Sequence, residues 1–249
     1  MKLAQLLLWP KLFLVILWIA FGVILSLFFV NKQNHCKPPS KVSDFTIKYW
    51  MKGLLFLLGA KVELHGQATS QPVLFVSNHI SWLDIICYMS VKPSRFISKA
   101  EVRKWPIAGW LAYRSGTLFL QRGKDADKIK QQMAETLNAN NQVTLFPEGT
   151  TTNGEGIRKF FPRLFSAAVE QQLTVQAARI RYFSFDSTSQ TYLPAYHLAY
   201  IDDDGLLENL IKVVKEPKIK VSIEYFECLS PPHQDRNSLA KKTYEQVTF

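Results

Sequence analysis

Cysteine is scarce in this sequence, and the few cysteines are far apart. The chain has 249 residues and three cysteines, Cys36, Cys87 and Cys228. An odd number at such wide spacing provides neither a disulfide framework nor the close pairs that bind zinc. The sequence therefore predicts no metal site and no disulfide, and it favours a reducing compartment.

Acidic residues are outnumbered by basic ones. Lys and Arg total 30 against 20 Asp and Glu, so the formal net charge is +10. Such an excess indicates an anionic partner, which could be a nucleic acid, an anionic lipid surface or a phosphorylated substrate. No nucleic-acid-binding motif is visible, which favours the lipid and the phosphorylated substrate. The sequence also lacks the Gly-x-Ser-x-Gly elbow of a serine hydrolase.

One long hydrophobic run stands out near the N-terminus. Residues 12–30 carry no charge over 19 positions. A helix of that length can cross a hydrocarbon core of about 30 Å. The run is too long for a signal peptide, and no Ala-x-Ala cleavage site follows it. The sequence leaves open whether this segment spans the bilayer or re-enters it.

A second apolar segment follows after a short polar turn. Residues 45–60 are aromatic and apolar, which predicts an interfacial helix with Trp50 near the lipid headgroups. We therefore expect residues 1–60 to form membrane-anchoring helices and residues 61–249 to form an α/β domain.

Beyond residue 60, short apolar runs alternate with helical patterns. The predicted strands are 61–64, 73–77, 95–97, 117–121, 143–146, 175–182 and 219–226. The predicted helices lie near 81–90, 125–138 and 163–172, with a short closing helix at 238–247. This alternation predicts an α/β fold with a mainly parallel sheet flanked by helices. Functional side chains are then expected just beyond the C-terminal ends of the strands.

A histidine and an aspartate lie five positions apart directly after the predicted strand 73–77. Histidine is the usual general base near neutral pH, and a carboxylate can fix its tautomer. His79 and Asp84 therefore suggest a base and its orienting acid, acting on a substrate that brings its own hydroxyl. A structural interpretation stays open, in which Ser81 is the N-cap of a helix and Asp84 completes a capping box.

Two further motifs follow at the ends of predicted strands. The first is GTLFLQR at residues 116–122, and the second is FPEGTTT at residues 146–152. Together with the His-x4-Asp motif they resemble, in order and spacing, the three motifs of the glycerolipid acyltransferase family typified by lysophosphatidic acid acyltransferase. The family motifs are His-x4-Asp, Gly-x-x-Phe-x-x-Arg and Phe-Pro-Glu-Gly-Thr. The matching stretches run from Asn78 to Thr152, and weaker similarity extends from the N-terminal helices to about Val221.

The resemblance implies a role for each matched residue. His79 would be the general base and Asp84 its partner. Arg122 would bind the phosphate of the acceptor, because a guanidinium makes bidentate bonds to phosphate oxygens. The residues that the resemblance assigns to substrate binding are Gly116, Phe119, Arg122, Phe146, Pro147, Glu148, Gly149 and Thr150.

The resemblance also implies a reaction and its setting. A fatty acyl group would move from acyl-CoA or acyl carrier protein to the free hydroxyl of lysophosphatidic acid, giving phosphatidic acid for phospholipid biosynthesis. The donor would be a co-substrate, and no other cofactor is implied. The expected partners are the phospholipid bilayer, the lysophospholipid and the acyl donor, with no nucleic acid. The expected location is the inner or cytoplasmic membrane, with the catalytic domain facing the cytoplasm.

The sequence departs from the family pattern at three places. Thr151 and Thr152 stand where many members carry Arg or Lys. The stretch 175–178 lacks the usual proline, and Arg163 replaces a small residue. Threonine-rich third motifs also occur in relatives that act on other lyso-lipids, including lyso-ornithine lipid. The alternatives are therefore another lyso-lipid acceptor and, more remotely, a catalytically silent membrane adaptor.

Overall fold

The computed structural model describes residues 2–30, 37–38, 40–121, 126–201 and 204–248. Two antiparallel helices come first, α1 (Lys2–Phe29) and α2 (Lys41–Leu58). The side chain of Ser40 caps the start of α2 by accepting a bond from the backbone N–H of Ser43, and Gly59 ends it with a φ of 75°.

A reciprocal pair of tryptophans joins these two helices. Nε1 of Trp18 donates to the backbone carbonyl of Trp50 over 3.0 Å, and Nε1 of Trp50 donates to the carbonyl of Trp18 over 3.0 Å. Each ring lies against a glycine of the opposite helix. A Cβ atom at Gly22 would lie 2.0 Å from the Trp50 ring, and one at Gly53 would lie 2.2 Å from the Trp18 ring. The absence of a side chain at these two positions makes room for the rings.

The surface of α1 is strongly apolar. Its segment Leu8–Phe29 has 22 residues and a mean hydropathy of 2.9, and it is the one helix within the described ranges that is long and apolar enough to cross a membrane. Most of that segment is unburied. Its exposed large side chains are Trp9, Phe13, Leu14, Ile16, Leu17, Phe21, Ile24, Leu27, Phe28 and Phe29.

The rest of the described chain builds a sheet with helices on both faces. The strands are β1 (Ala60–His65), β2 (Leu74–Ser77), β3 (Arg95–Lys99), β4 (Leu118–Leu120), β5 (Val143–Leu145), β6 (Val175–Asp186), β7 (Thr191–Pro194) and β8 (Ile219–Leu229). Their order is β1-β8-β6-β2-β5-β3-β4, and β7 pairs with the end of β6. The strands from β6 to β4 all run parallel, whereas β8 runs antiparallel to β6.

The further α-helices are α3 (Leu83–Val91), α4 (Ala108–Arg114), α5 (Ala126–Asn138), α6 (Ser166–Glu170), α7 (Leu206–Lys215) and α8 (Arg236–Thr248). Alternate side chains of the strands enter two apolar cores. Phe75 and Ile180 pack with α1, α2, α3 and α7 in one core, whereas Leu74 and Val76 pack with α5, α6 and α8 in the other. A strand delivers successive residues to opposite faces, so buried strands supply both cores.

The predicted α/β fold with a mainly parallel sheet is confirmed, and each of the predicted strands overlaps an observed one. The sequence interpretation missed β7, α4 and α7. All four residues of β7 are exposed, so they carry no alternating apolar pattern to reveal a strand. The predicted helix 163–172 is shorter than expected, because Pro162–Phe165 forms a 3-10 turn before α6.

The proposed division at residue 60 stays a prediction. The chain does change from helix to strand at Gly59. The buried side chains of α2, however, including Leu55 and Leu58, share one core with Ile219 and Val221 of β8. The two helices are thus packed onto the α/β domain, with one lysine adding a polar contact. Nζ of Lys11 donates to the carbonyls of Leu58, Val214 and Glu216.

Candidate active site

The candidate site begins where β2 ends. Asn78 follows the last residue of β2, and its side chain takes the place of a strand in pairing with β6. Its Nδ2 donates to the carbonyl of Ile180 over 3.0 Å, while its Oδ1 accepts from the N–H of Ile180 over 2.8 Å. This pair fixes the loop after β2 against the neighbouring strand. We call the edge where β2 ends at Ser77 and β5 ends at Leu145 the active edge.

The predicted His79 and Asp84 pair is brought together at the active edge. Nδ1 of His79 lies 2.6 Å from Oδ2 of Asp84. Asp84 is fully buried, whereas the His79 side chain remains 18% exposed. The base is therefore accessible to a substrate, and its partner is shielded from water.

Asp84 collects further hydrogen bonds from the loop. Its Oδ2 also accepts from the backbone N–H of Ile80 over 2.7 Å and of Ser81 over 3.1 Å. Its Oδ1 accepts from the hydroxyl of Tyr182. The bond to Ser81 is the one that a capping box would make, although α3 itself begins at Leu83. The capping interpretation and the catalytic interpretation thus describe two contacts of the same carboxylate.

The third motif supports the imidazole from a different strand. The ring of Phe146, just after β5, stacks on the His79 ring with centroids 4.0 Å apart and planes 6° apart. The ring of Phe96 in β3 packs in turn against Phe146, with their ring centroids 5.8 Å apart. One ring face of His79 is therefore covered by an aromatic side chain, which restricts the tilt of the imidazole.

Glu148 joins the loop of His79 to the loop after β5. Its Oε1 accepts from the backbone N–H of His79 over 2.7 Å, and its Oε2 accepts from the N–H of Arg158 over 2.7 Å. Burial raises the pKa of the Glu148 carboxyl to about 7, although the two N–H donors act in the opposite direction. In this geometry Glu148 holds two backbone segments at fixed positions.

The rest of the third motif forms a close turn around the same loop. The N–H of Thr152 donates to the carbonyl of His79 over 2.9 Å. Gly149 has a φ of 70°, which a residue with a side chain seldom adopts, and a Cβ atom there would lie 3.0 Å from the Phe161 ring. Pro147 is buried, and its carbonyl accepts from the N–H of Phe161 over 2.9 Å. Thr150 is half-buried beside this turn.

The second motif is only partly visible. Arg122 lies outside the described residues, so its predicted phosphate contact stays a prediction. Phe119 lies in β4, half-buried and paired with Ser98 of β3. Gly116 precedes β4, at the opposite end of the strand from the active edge, and its φ is 87°. The turn between α4 and β4 requires this positive φ, which explains why a glycine stands there.

Two functional contacts escaped the sequence interpretation. In the sequence interpretation Asn78 is only part of the motif, and Tyr182 is only the end of a predicted strand. The hydroxyl of Tyr182 reaches Asp84 across 98 positions of sequence. A local sequence pattern cannot indicate a contact between residues so far apart in the chain. A lone tyrosine in an apolar strand is also more often a core residue.

This arrangement can remove a proton from a bound hydroxyl. Since Nδ1 of His79 is engaged by Asp84, the other ring nitrogen, Nε2, is left to accept a proton from a substrate. A buried carboxylate on Nδ1 selects that tautomer and stabilises the imidazolium that forms. Within the described part of the chain, no cluster of three or more His, Cys, Asp or Glu residues has the arrangement of a metal site.

Comparison with known proteins shows the family to which the chain is related. A family model described as Acyltransferase matches residues 61–181. The lyso-ornithine lipid O-acyltransferase of Pseudomonas aeruginosa is 39% identical over 201 residues, which are 80% of this chain and 76% of that protein. The 1-acyl-sn-glycerol-3-phosphate acyltransferase of Neisseria gonorrhoeae is 33% identical over 202 residues, which are 79% of this chain and 76% of that protein.

A solved structure shares the fold. The crystal structure of the 1-acyl-sn-glycerophosphate acyltransferase PlsC from Thermotoga maritima matches with a TM-score of 0.69 at 20% sequence identity, covering 98% of this chain and 92% of that one. The sequence relatives, the matching family model and the shared fold lead to one conclusion: this chain belongs to the glycerolipid acyltransferase family and is an O-acyltransferase.

Proposed function

We propose that the protein transfers a fatty acyl group from a thioester donor, acyl-CoA or acyl carrier protein, to the free hydroxyl of lysophosphatidic acid. The observation that carries the proposal is the bond between Nδ1 of His79 and Oδ2 of Asp84 at the active edge. It orients an accessible base, and the acceptor supplies the nucleophilic oxygen.

The reaction follows from this base. Nε2 of His79 takes the hydroxyl proton while the acceptor oxygen attacks the thioester carbonyl carbon. The C–S bond of the tetrahedral intermediate then breaks, and the departing sulfur takes the proton back from His79. An ester and a free thiol result, and the enzyme is regenerated. A positioned base contributes about 10²–10⁴-fold to such a step.

Basic residues near the active edge support an anionic acceptor. Arg158 and Lys159 are both exposed. One carboxylate oxygen of Glu148 accepts from the backbone N–H of Arg158, and the other accepts from the N–H of His79. The side chain of Glu148 therefore links the backbone of the basic pair to the backbone of the base. Arg122, at the end of the second motif, is proposed as the further phosphate contact. Arginine suits this role because its planar group pairs with two phosphate oxygens at once.

The bilayer is the proposed location of the acceptor. The exposed apolar face of α1 is suited to lipid, and α1 is packed against α2 beside the catalytic core. We place the catalytic domain on the cytoplasmic side, since the acyl donors are made there. Lysophosphatidic acid in the same leaflet would then reach the active edge without leaving the membrane.

Lyso-ornithine lipid is the second candidate acceptor. Two observations favour it: the stretch Thr150–Thr152 lacks the basic residue found in many members, and the relative from Pseudomonas aeruginosa that is 39% identical is named for that lipid. The lyso-ornithine headgroup carries an amine besides its carboxylate, so it has less need of a cationic pocket. A comparison of acceptors separates the two candidates.

The first test measures thiol release from a long-chain acyl-CoA by the detergent-purified protein, with and without lysophosphatidic acid. We expect release that depends on the acceptor and that falls at least about 10²-fold in His79→Ala. The matched control is His65→Ala, because His65 is exposed at the end of β1, away from the site. Circular dichroism confirms that each variant is folded.

The outcomes of this test are distinct. Equal thiol release by folded His79→Ala protein would contradict the assigned base. Release that depends on lyso-ornithine lipid and not on lysophosphatidic acid would establish the second candidate. Binding to lipid vesicles with no thiol release from acyl-CoA or acyl carrier protein, for either acceptor, would favour the silent adaptor.

A further inference from the structure

The two carboxylate oxygens of Asp84 have very different surroundings. Oδ2 takes three bonds, from Nδ1 of His79 and from the backbone N–H groups of Ile80 and Ser81. Oδ1 takes one, from the hydroxyl of Tyr182, and no other donor to Oδ1 is found among the described residues. Asp84 is 0% exposed, so bulk water does not reach that oxygen.

The backbone of Tyr182 is held on both sides. On one side it pairs with Val221 of β8, and on the other its carbonyl accepts from the N–H of Ala195 over 2.9 Å. Two residues earlier on the same face of β6, Ile180 is bound by the side chain of Asn78. The strand that carries the tyrosine is therefore fixed relative to the loop that carries the base.

We propose that Tyr182 is a positioning residue of the acyl transfer, which acts on His79 through Asp84. Its hydroxyl fixes Oδ1 and thereby the plane of the carboxylate, so that Oδ2 stays aligned with Nδ1 of His79. It also draws negative charge toward Oδ1 and away from the imidazole. The proposal rests on the proposed role of His79 as the base.

The physical need for this donor comes from burial. A buried carboxylate oxygen without a donor is unfavourable, and the group would turn to share the remaining N–H groups between its two oxygens. Such a turn would move Oδ2 away from the imidazole. Burial and the charge of Asp84 both raise the pKa of Tyr182, so the phenol keeps its proton and remains a donor throughout the working pH range.

The loss of this hydroxyl should also change the pH dependence of the reaction. The ionisable groups that face the His79–Asp84 pair are Tyr182 on β6, Glu148 after β5, and Cys87 and Tyr88 on α3. Removing the Tyr182 hydroxyl changes both the charge on Oδ2 of Asp84 and the position of Oδ2 relative to the imidazole. The acid limb of the pH–rate profile should therefore shift.

The test is Tyr182→Phe, which removes one oxygen and keeps the ring. We expect kcat to fall roughly 10-fold or more, since hydrogen bonds to charged groups are among the stronger ones. KM for the acceptor should change less than twofold or so, because Tyr182 acts on the base and not on the lipid. The acid limb of the pH–rate profile should shift, and so should the low-field proton resonance of the His79 Nδ1–H in the ¹⁵N-labelled protein.

Tyr88→Phe is the matched control. Tyr88 is another buried tyrosine beside the site, but its hydroxyl lies 2.6 Å from the Oγ of Ser77 and is not among the donors that bind Asp84. Both variants lose one buried hydrogen bond, so both should unfold at a lower temperature. Only Tyr182→Phe should change the pH profile and the His79 proton resonance.

An unchanged pH profile and an unchanged resonance in folded Tyr182→Phe would overturn the positioning role, even if its stability fell. Rates are measured with whichever lyso-lipid the wild-type protein turns over, so a wrong acceptor does not affect this test. The resonance is measured without substrate. A wild-type protein that turns over no acceptor would thus contradict the proposed function, while the resonance would still decide whether Tyr182 controls the His79–Asp84 bond.

Discussion

The α1–α2 hairpin and the active edge are two closely packed regions that are held together in different ways. In the hairpin, tryptophan rings occupy space left by Gly22 and Gly53, and shape decides the packing. At the active edge, buried carboxylates of Asp84 and Glu148 collect backbone N–H groups, and charge decides the packing. The hairpin should therefore be sensitive to added volume, and the active edge to a change of charge at constant volume.

The largest effect is expected from Asp84→Asn, which keeps the volume and removes the charge. Four donors converge on this side chain, and an amide offers only one oxygen to accept them. An amide nitrogen facing His79 would also favour the wrong tautomer. We expect kcat to fall by about 10²–10⁴-fold, the contribution of a well-placed base.

Steady-state kinetics on folded Asp84→Asn protein check this prediction. A kcat within tenfold of the wild-type value would mean that Asp84 serves the cap of α3 and not the base. The same change at Asp186, the half-buried last residue of β6, is the control and should leave kcat unaltered.

An intermediate effect is expected from Gly22→Ala, which adds one methyl group to the hairpin. The new Cβ would lie 2.0 Å from the Trp50 ring, so the helices must separate or the ring must leave. Overpacking of this kind costs about 1–3 kcal/mol. The midpoint of thermal unfolding in detergent should fall, while kcat per folded molecule should stay close to the wild-type value.

Two comparisons sharpen the hairpin experiment. Gly156→Ala adds the same methyl group where no atom lies within 4 Å, so it should leave the stability almost unchanged. In the double variant Gly22→Ala, Trp50→Leu the smaller side chain leaves space for the added methyl group. Its loss of stability should therefore be smaller than the sum of the losses in the two single variants. Additive losses would show that the tryptophan does not fill the space beside Gly22.

The smallest effect is expected in the pH dependence of stability, and it arises from Glu148. Its pKa of about 7 in the folded protein lies above the usual value of 4.5. Between these two values the folded state binds more protons than the unfolded state, so the free energy of unfolding falls as the pH rises from about 4.5 to about 7. The protonated Glu148 carboxyl contributes fully to the free energy of unfolding below that pH range, and this contribution is lost above it.

Denaturant titrations of the wild-type protein and Glu148→Gln across this range measure the contribution of Glu148. The fall in the free energy of unfolding with rising pH should be shallower in Glu148→Gln, because the variant lacks the carboxyl group that titrates. Glu155→Gln, an exposed position in the same loop, should follow the wild-type slope. Parallel slopes for the wild-type protein and Glu148→Gln would contradict the raised pKa.

Much of the site was predictable because its residues are close together in sequence. His79 lies in the loop after β2 and Asp84 lies in the first turn of α3, only five positions later, and the spacing of a base and its acid indicated both. Phe146 and Glu148 were identified with the third motif through resemblance. Their contacts were not predicted: the ring of Phe146 stacks on His79, and the carboxylate of Glu148 binds backbone N–H groups. Motifs identify such residues without revealing which atoms they bind.

The sequence by itself determined the α/β class, the apolar helix at the start and the His79–Asp84 pair, since periodicity and short spacing are local properties of a chain. Only the tertiary structure decided that Tyr182 reaches Asp84 and that Trp18 packs against Gly53. These contacts join segments far apart in the chain, and their geometry depends on how strands and helices pack. Long-range contacts of single side chains leave no periodic signal, because each requires the whole fold to bring its two partners together.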